Sequence, residues 1–159
     1  MSQSSVYIET TIVSYLAARL SRDLIVAAHQ QLTRDWWDSH RERYRLVTSQ
    51  IVFDEAAAGN PAYAAARLEA LRNMEFLELT PEVESLSREL LQKGPLPANA
   101  EADAAHIALS IVHHVDYLLT WNCKHIANAE IQAALTRRAV RAGFKLPILC
   151  TPEQLMGGA

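Results

Sequence analysis

The sequence predicts one α/β domain in three layers, with a central, mainly parallel sheet flanked by helices. Short runs of β-branched and aromatic residues alternate with longer segments whose apolar residues recur at helical spacing. No internal repeat, low-complexity tract or long linker divides the 159 residues, which suffice for one substantial core. We therefore expect a single domain over residues 1–159, since strands alternating with helices favour a parallel sheet.

The predicted strands cover residues 6–11, 45–48, 75–79, 116–121 and 147–150. The predicted helices cover residues 11–19, 21–36, 50–58, 62–71, 82–92, 98–115 and 128–142. Capping residues support several helix starts, because a hydroxyl can accept from the first free N–H groups. Ser21, Ser49 and Thr80 are the candidate caps, and Thr151 with Gln154 forms a capping box for a last turn.

The amino-acid composition limits the classes of protein to which this chain can belong. Half of the residues are hydrophobic and 21% are charged, as in compact globular proteins rather than disordered ones. The formal charge of −3 means that nucleic-acid binding would depend on local basic patches. Cys123 and Cys150 fit neither a zinc spacing nor a disulfide framework, which favours a reduced, cytoplasmic protein. We expect no signal peptide and no membrane contact, since residues 1–5 lack a basic residue and the apolar runs are short.

Two polar residues follow predicted strands. Glu9 comes at the end of the first strand, and Asn122 follows the strand over 116–121. In open parallel sheets the carboxyl ends of the strands form the edge where ligands bind. We therefore expect both side chains at this edge, although an asparagine after a strand is more often a simple turn residue.

Two acidic residues are singled out by their position on predicted helices. At about 100° per residue, Glu55 falls on the apolar face, whereas Asp54 points to the side and is expected to be solvated. A carboxylate on that face needs a partner, either a metal or an arginine. Asp103 shares a face with Ile107 near a helix start, where the dipole favours an anion. It is equally well explained as a residue that stabilises the helix start.

Together, Glu9, Glu55 and Asp103 offer three carboxylates, and Asn122 adds an amide oxygen. Ligation by oxygen alone favours Mg²⁺ or Mn²⁺ over zinc. We therefore predict a catalytic group made of these four residues, in which the three acids bind the metal.

Four segments resemble the PIN-domain family, and more narrowly its VapC-type toxins from toxin–antitoxin pairs. They are residues 7–11 (YIETT), 49–55 (SxxVxxE), 103–108 (DxxHIA) and 118–125 (LLTWNxKH). The resemblance spans nearly the whole chain and implies a PIN-like fold with metal-dependent endoribonuclease activity. It also implies homodimers and inhibition by a cognate antitoxin. The family usually has aspartate at the positions of Glu9 and Asn122, which puts full activity in question.

Further residues complete the enzyme hypothesis. Thr11 is expected to hydrogen-bond Glu9 or the phosphate, and His125 is a candidate proton donor, although a structural role at a turn is commoner. Arg137, Arg138 and Arg141 are the candidate RNA-binding residues, with an ordinary solvated face as the alternative.

Two alternatives remain open. A PIN-like domain without activity would bind RNA or a partner. A receiver-like phosphoacceptor domain would use Asp54, but that residue falls within a predicted helix.

Overall fold

The computed structural model describes residues 3–157, so residues 1, 2, 158 and 159 of the predicted domain lie outside the described residues. The strands are β1 (Ser5–Ile8), β2 (Arg45–Ser49), β3 (Glu75–Leu77), β4 (Tyr117–Leu119) and β5 (Ile148–Cys150). They form one sheet in the order β3-β2-β1-β4-β5, and each neighbouring pair is parallel. The predicted parallel α/β architecture is confirmed.

The helices are α1 (Thr10–Ala17), α2 (Leu24–Ser39), α3 (Gln50–Ala57), α4 (Pro61–Ala70), α5 (Pro81–Gln92), α6 (Glu101–Val112) and α7 (Ala129–Arg141). A 3₁₀ turn at Arg41–Arg43 leads into β2. Helices α1 to α4 pack among themselves, while α5 packs on α6 and α7. Because parallel crossovers are right-handed, the reversal of direction after β3 puts these two groups on opposite faces. Among the described residues, no helix has both the length and the apolar character needed to cross a membrane.

Most of the predicted helix starts agree with the structure. Ser49 Oγ accepts from Val52 N at 3.3 Å, and Thr80 caps α5. One predicted cap is wrong: the cap of α2 is Asp23, whose carboxylate accepts two backbone N–H groups, while Ser21 lies two residues earlier. The carboxylate is the stronger acceptor, so the helix starts after it.

Helix α6 is shorter than predicted. The expected helix over 98–115 ends instead at Val112, because His114 adopts a left-handed conformation with φ 56°. Val115 N then reaches back to Ser110 O at 3.0 Å and closes the helix. This turn directs the chain into β4, where Leu118 and Leu119 are fully buried.

Candidate functional site

The site lies where the order of the sheet reverses. The chain passes from β1 to β2 on one side and later returns to place β4 on the other side of β1. The crevice beyond the carboxyl ends of β1 and β4 is therefore a topological switch point, the usual ligand position in such sheets. Glu9 follows β1 and caps α1, and Asn122 lies three residues after β4. The two loops are joined because Glu9 N donates to Leu119 O at 3.2 Å.

Glu9 is an almost buried carboxylate, 4% exposed. Its Oε1 accepts from Thr11 N at 3.2 Å, from Thr11 Oγ1 at 2.6 Å and from Thr120 Oγ1 at 2.5 Å. These donors compensate for the loss of water around the charge. Its Oε2 receives no hydrogen bond from residues 3–157, so one oxygen stays available to a ligand.

Glu55 reaches the same crevice from α3. The sequence placed this residue on a core-facing stripe, but that expectation was wrong, since 37% of its side chain is exposed. Its Oε1 accepts from Thr10 Oγ1 at 2.5 Å and from His106 Nε2 at 2.9 Å. Partial burial raises the pKa of the Glu55 carboxyl, but the hydrogen bonds from His106 and Thr10 outweigh it, so the net pKa is lowered. Glu55 is therefore held ionised by two donors rather than by an arginine.

Asp103 orients two residues of the loop after β4. Its Oδ1 accepts from Asn122 Nδ2 at 2.9 Å, and its Oδ2 lies 2.9 Å from His125 Nδ1. Asn122 Oδ1 in turn accepts from His125 N at 3.0 Å. The three side chains thus form a closed unit in which His125 Nε2 makes no hydrogen bond to a described residue. Asp54 faces away and accepts from Gln50 Nε2, as expected for a solvated neighbour.

Only the comparison of structures found a protein similar to this chain. No family model and no curated protein matches the sequence. Among solved structures, the chain is similar to a chain of VapBC2 from Rickettsia felis, crystallised with a DNA fragment from their promoter. The TM-score is 0.57 over 92% of this chain and 98% of that chain, with 16% identity. The chain has a PIN-like fold. At this level of identity the likeness confirms the fold implied by the resemblance, and it does not extend to activity.

The donors in this PIN-like crevice have the chemistry that a hard cation prefers, since Glu9 and Glu55 each retain an oxygen that receives no hydrogen bond from the described residues. Within the described part of the chain, no three His, Cys, Asp or Glu side chains are grouped so that together they could hold a metal ion. Magnesium commonly binds through one or two carboxylates, with water and substrate phosphates completing its shell. The residues fit that mode of binding rather than a closed cage of protein ligands.

Sequence reasoning missed part of the network around these acids. Thr10 and Thr120 hold Glu55 and Glu9 respectively. His106 is 1% exposed and is hydrogen-bonded to both Glu55 and Tyr7. The sequence offered two signals for this contact: Tyr7 lies in a strand predicted to be buried, and His106 follows Asp103 by three residues.

The three arginines proposed to bind RNA lie away from the crevice. Helix α7 begins after the loop that carries Asn122 and runs back towards the start of β5. At about 1.5 Å per residue, Arg137 and Arg141 lie roughly 12 and 18 Å along the helix from Ala129. The structure therefore does not bring them together with the acids. A second basic patch in the sequence consists of Arg41, Arg43 and Arg45, and it is partly neutralised because Arg45 pairs with Glu75.

Proposed function

We propose that the protein is a metal-dependent endoribonuclease that uses Mg²⁺ or Mn²⁺ and acts as the cytoplasmic toxin of a type II toxin–antitoxin pair. The observation that carries the proposal is the hydrogen-bond network around the carboxyl ends of β1 and β4. Thr120 joins Glu9 to the loop of Asn122, which donates to Asp103, and Thr10, next to Glu9, donates to Glu55. Glu9, Glu55, Asp103 and Asn122 come from four separate parts of the chain, and hydrogen bonds hold all of them in place. An acidic crevice that is anchored in this way suits a cation that binds a phosphodiester.

In this proposal Glu9, Glu55 and Asp103 would hold the cation, directly or through water. The bound cation would neutralise charge on the phosphoryl oxygens and lower the pKa of a water molecule. Asn122 Nδ2 donates one hydrogen to Asp103 and would offer its second to a phosphate or water oxygen. In this proposal His125 would act in its doubly protonated form, keeping the Nδ1 proton on Asp103 and giving the Nε2 proton to the ribose oxygen that leaves as its P–O bond breaks. The attacking water would form the new P–O bond and lose its proton to solvent.

The partner assignment rests on different observations. The similar structure is described as VapBC2 bound to DNA from their promoter, which names a pair of proteins. In this chain the junction of α1 and α2 exposes three large apolar side chains, Leu20, Leu24 and Ile25 (60%, 86% and 69% exposed). Such a patch favours a protein partner. We propose a cognate antitoxin and a homodimer, with no membrane partner.

The test is cleavage of a labelled unstructured RNA and of a stable hairpin RNA, each with Mg²⁺, Mn²⁺ or EDTA. We expect cleavage of the unstructured RNA with either metal, none with EDTA, and a large loss in Glu9→Gln. Cleavage that persists in EDTA would contradict the metal dependence. If neither metal supports cleavage by the wild-type protein, the ribonuclease assignment fails.

The alternative is a PIN-like module that binds RNA or a partner without cutting. Two observations favour this alternative. Residues 3–157 contain no group of three potential metal ligands, and both oxygens of Asp103 are already engaged by Asn122 and His125. The alternative predicts RNA retention in a gel-shift assay at equal strength with EDTA and with Mg²⁺, and no cleavage.

A further inference from the structure

We infer that Tyr7 and Ser49 position the carboxylate of Glu55 through the imidazole of His106, by a buried chain of hydrogen bonds with a fixed direction. The inference deepens the proposed function, since it assigns positioning residues to one of its acids. It would stand as a statement about proton placement even if the protein did not cut RNA.

The chain of contacts is continuous and buried. Ser49 Oγ lies 2.8 Å from the hydroxyl of Tyr7, which lies 2.7 Å from His106 Nδ1. His106 Nε2 lies 2.9 Å from Glu55 Oε1. Ser49 and Tyr7 are 0% exposed and His106 is 1% exposed, so water cannot replace any of these partners. These hydrogen bonds therefore connect the core beneath β1 with the open crevice.

The donors and acceptors can be assigned from chemistry. Glu55 is ionised and only accepts, so His106 Nε2 carries the proton. Among the described residues, Tyr7 is the only acceptor within hydrogen-bond reach of the buried Ser49 hydroxyl, which leaves the Tyr7 hydrogen for Nδ1. The Tyr7 hydroxyl must then donate to Nδ1.

The lone pairs of the Tyr7 and Ser49 oxygens fix the direction of the hydrogen bonds at the end farthest from Glu55. With its own hydrogen committed to His106, the Tyr7 oxygen accepts from the Ser49 hydroxyl. Ser49 Oγ in turn accepts from Val52 N at 3.3 Å, at the start of α3. Helix α3 also carries Glu55, so the row of hydrogen bonds begins and ends on this helix. It holds the His106 ring in one orientation between Tyr7 and Glu55. Without the Tyr7 hydroxyl, a buried acceptor on His106 would be left unsatisfied and the ring would be free to turn away from Glu55.

The first test uses the nitrogen and proton signals of His106 in ¹⁵N-labelled protein. Removal of the His106 signals in His106→Gln assigns them among the six histidines. In the wild type we expect a protonated Nε2 and an unprotonated, hydrogen-bonded Nδ1. Tyr7→Phe should shift the Nδ1 signal and speed the exchange of the Nε2 proton with water. Tyr44→Phe is the control, because the Tyr44 hydroxyl makes no hydrogen bond to a described residue.

A second pair of variants does not depend on Tyr7. Glutamine places an N–H near the position of Nε2, so His106→Gln keeps the donor to Glu55, whereas His106→Asn places it near Nδ1 and loses that donor. We expect the ¹³C signal of the Glu55 carboxyl to stay in place in the first and to move in the second. RNA cleavage should fall about tenfold or more only in the second, since a hydrogen bond to a charge is lost.

The inference is overturned if the wild-type His106 carries its proton on Nδ1, or if Tyr7→Phe leaves both nitrogen signals unchanged. It is also overturned if the glutamine and asparagine variants move the Glu55 signal equally. Absence of RNA cleavage in the wild type would remove the ribonuclease proposal, while the nitrogen and carbon signals would still decide the inference.

Discussion

The hydroxyl of Thr120 lies 2.5 Å from Oε1 of Glu9, although 111 positions separate the two residues. The contact follows from the sheet, since Ile8 pairs with Leu119 in the register of β1 and β4. The residues that follow two paired strands must be neighbours. Thr120 Oγ1 also accepts from Asn122 N at 2.9 Å, so one buried hydroxyl links the two loops of the crevice.

Replacement of this hydroxyl tests the link. Thr120→Val keeps the shape of the side chain but leaves the Asn122 N–H without its acceptor and Glu9 with one donor fewer. We expect the free energy of unfolding to fall by about 1–3 kcal/mol in urea denaturation. The control is Thr136→Val, because the Thr136 hydroxyl lies on an exposed turn of α7 and, among the residues the structure describes, bonds only to Gln132 O. Equal stability of the two variants would show that the Thr120 contact contributes nothing.

Asp103 and Asp54 form a matched pair for activity. Asp103→Asn removes the charge that holds Asn122 and His125, so we expect single-turnover cleavage of unstructured RNA to fall roughly 100-fold or more. Asp54→Asn alters an exposed carboxylate whose one hydrogen bond within residues 3–157 comes from Gln50, and it should leave the rate unchanged. A comparable loss in both variants would argue against a special role for Asp103.

Much of the fold could be predicted, because its elements carry strong local signals. Hydroxyl caps such as Ser49 and Thr80 mark helix starts, and the run that forms β1 is buried along its whole length. The two errors arose where local signals compete. Asp23 outcompetes Ser21 as a cap, and the left-handed His114 ends a helix whose composition would allow it to continue.

The site could be predicted only in part. The rule that residues following parallel strands share one edge of the sheet correctly placed Glu9 and Asn122 at the carboxyl ends of β1 and β4. The rule works because it depends on the topology of the sheet alone. Helical periodicity misjudged Glu55, which lies on an exposed edge of α3 and is held by Thr10. The contact of Tyr7 with His106 spans 99 positions, and no spacing rule reaches across that distance.

The lowered pKa of Glu55 has a definite consequence for stability. A carboxyl whose pKa is lower in the folded protein than its ordinary value of 4.5 stabilises the fold above that value. That contribution disappears as the pH falls through the folded-state pKa. We therefore expect the stability difference between the wild type and Glu55→Gln to be largest at neutral pH and to shrink on acidification. Urea denaturation across this range measures it, and a difference independent of pH would refute the assignment.

The two thiols should react at very different rates. Cys150 is buried, which raises its pKa to about 12, whereas Cys123 is exposed. Since the thiolate is the reactive form, a maleimide should label Cys123 alone in the native protein and both thiols after unfolding. Mass spectrometry of the labelled peptides gives the site. Rapid native labelling of Cys150 would show that β5 opens readily, and Cys123→Ser should leave the native protein unlabelled.

The arginines at the end of α7 should matter only for long RNA. Each phosphate contact on a single strand contributes about 0.7 to the slope of log affinity against log salt concentration. If Arg137, Arg138 and Arg141 all contact phosphates, changing the three to glutamine should lower that slope by roughly 2 for a long transcript. A short oligonucleotide that fills only the crevice should bind and be cut as before, because these side chains lie on the far turns of the helix. Filter binding at several salt concentrations measures both slopes. An unchanged slope with the long transcript would mean that this basic edge is a solvated surface.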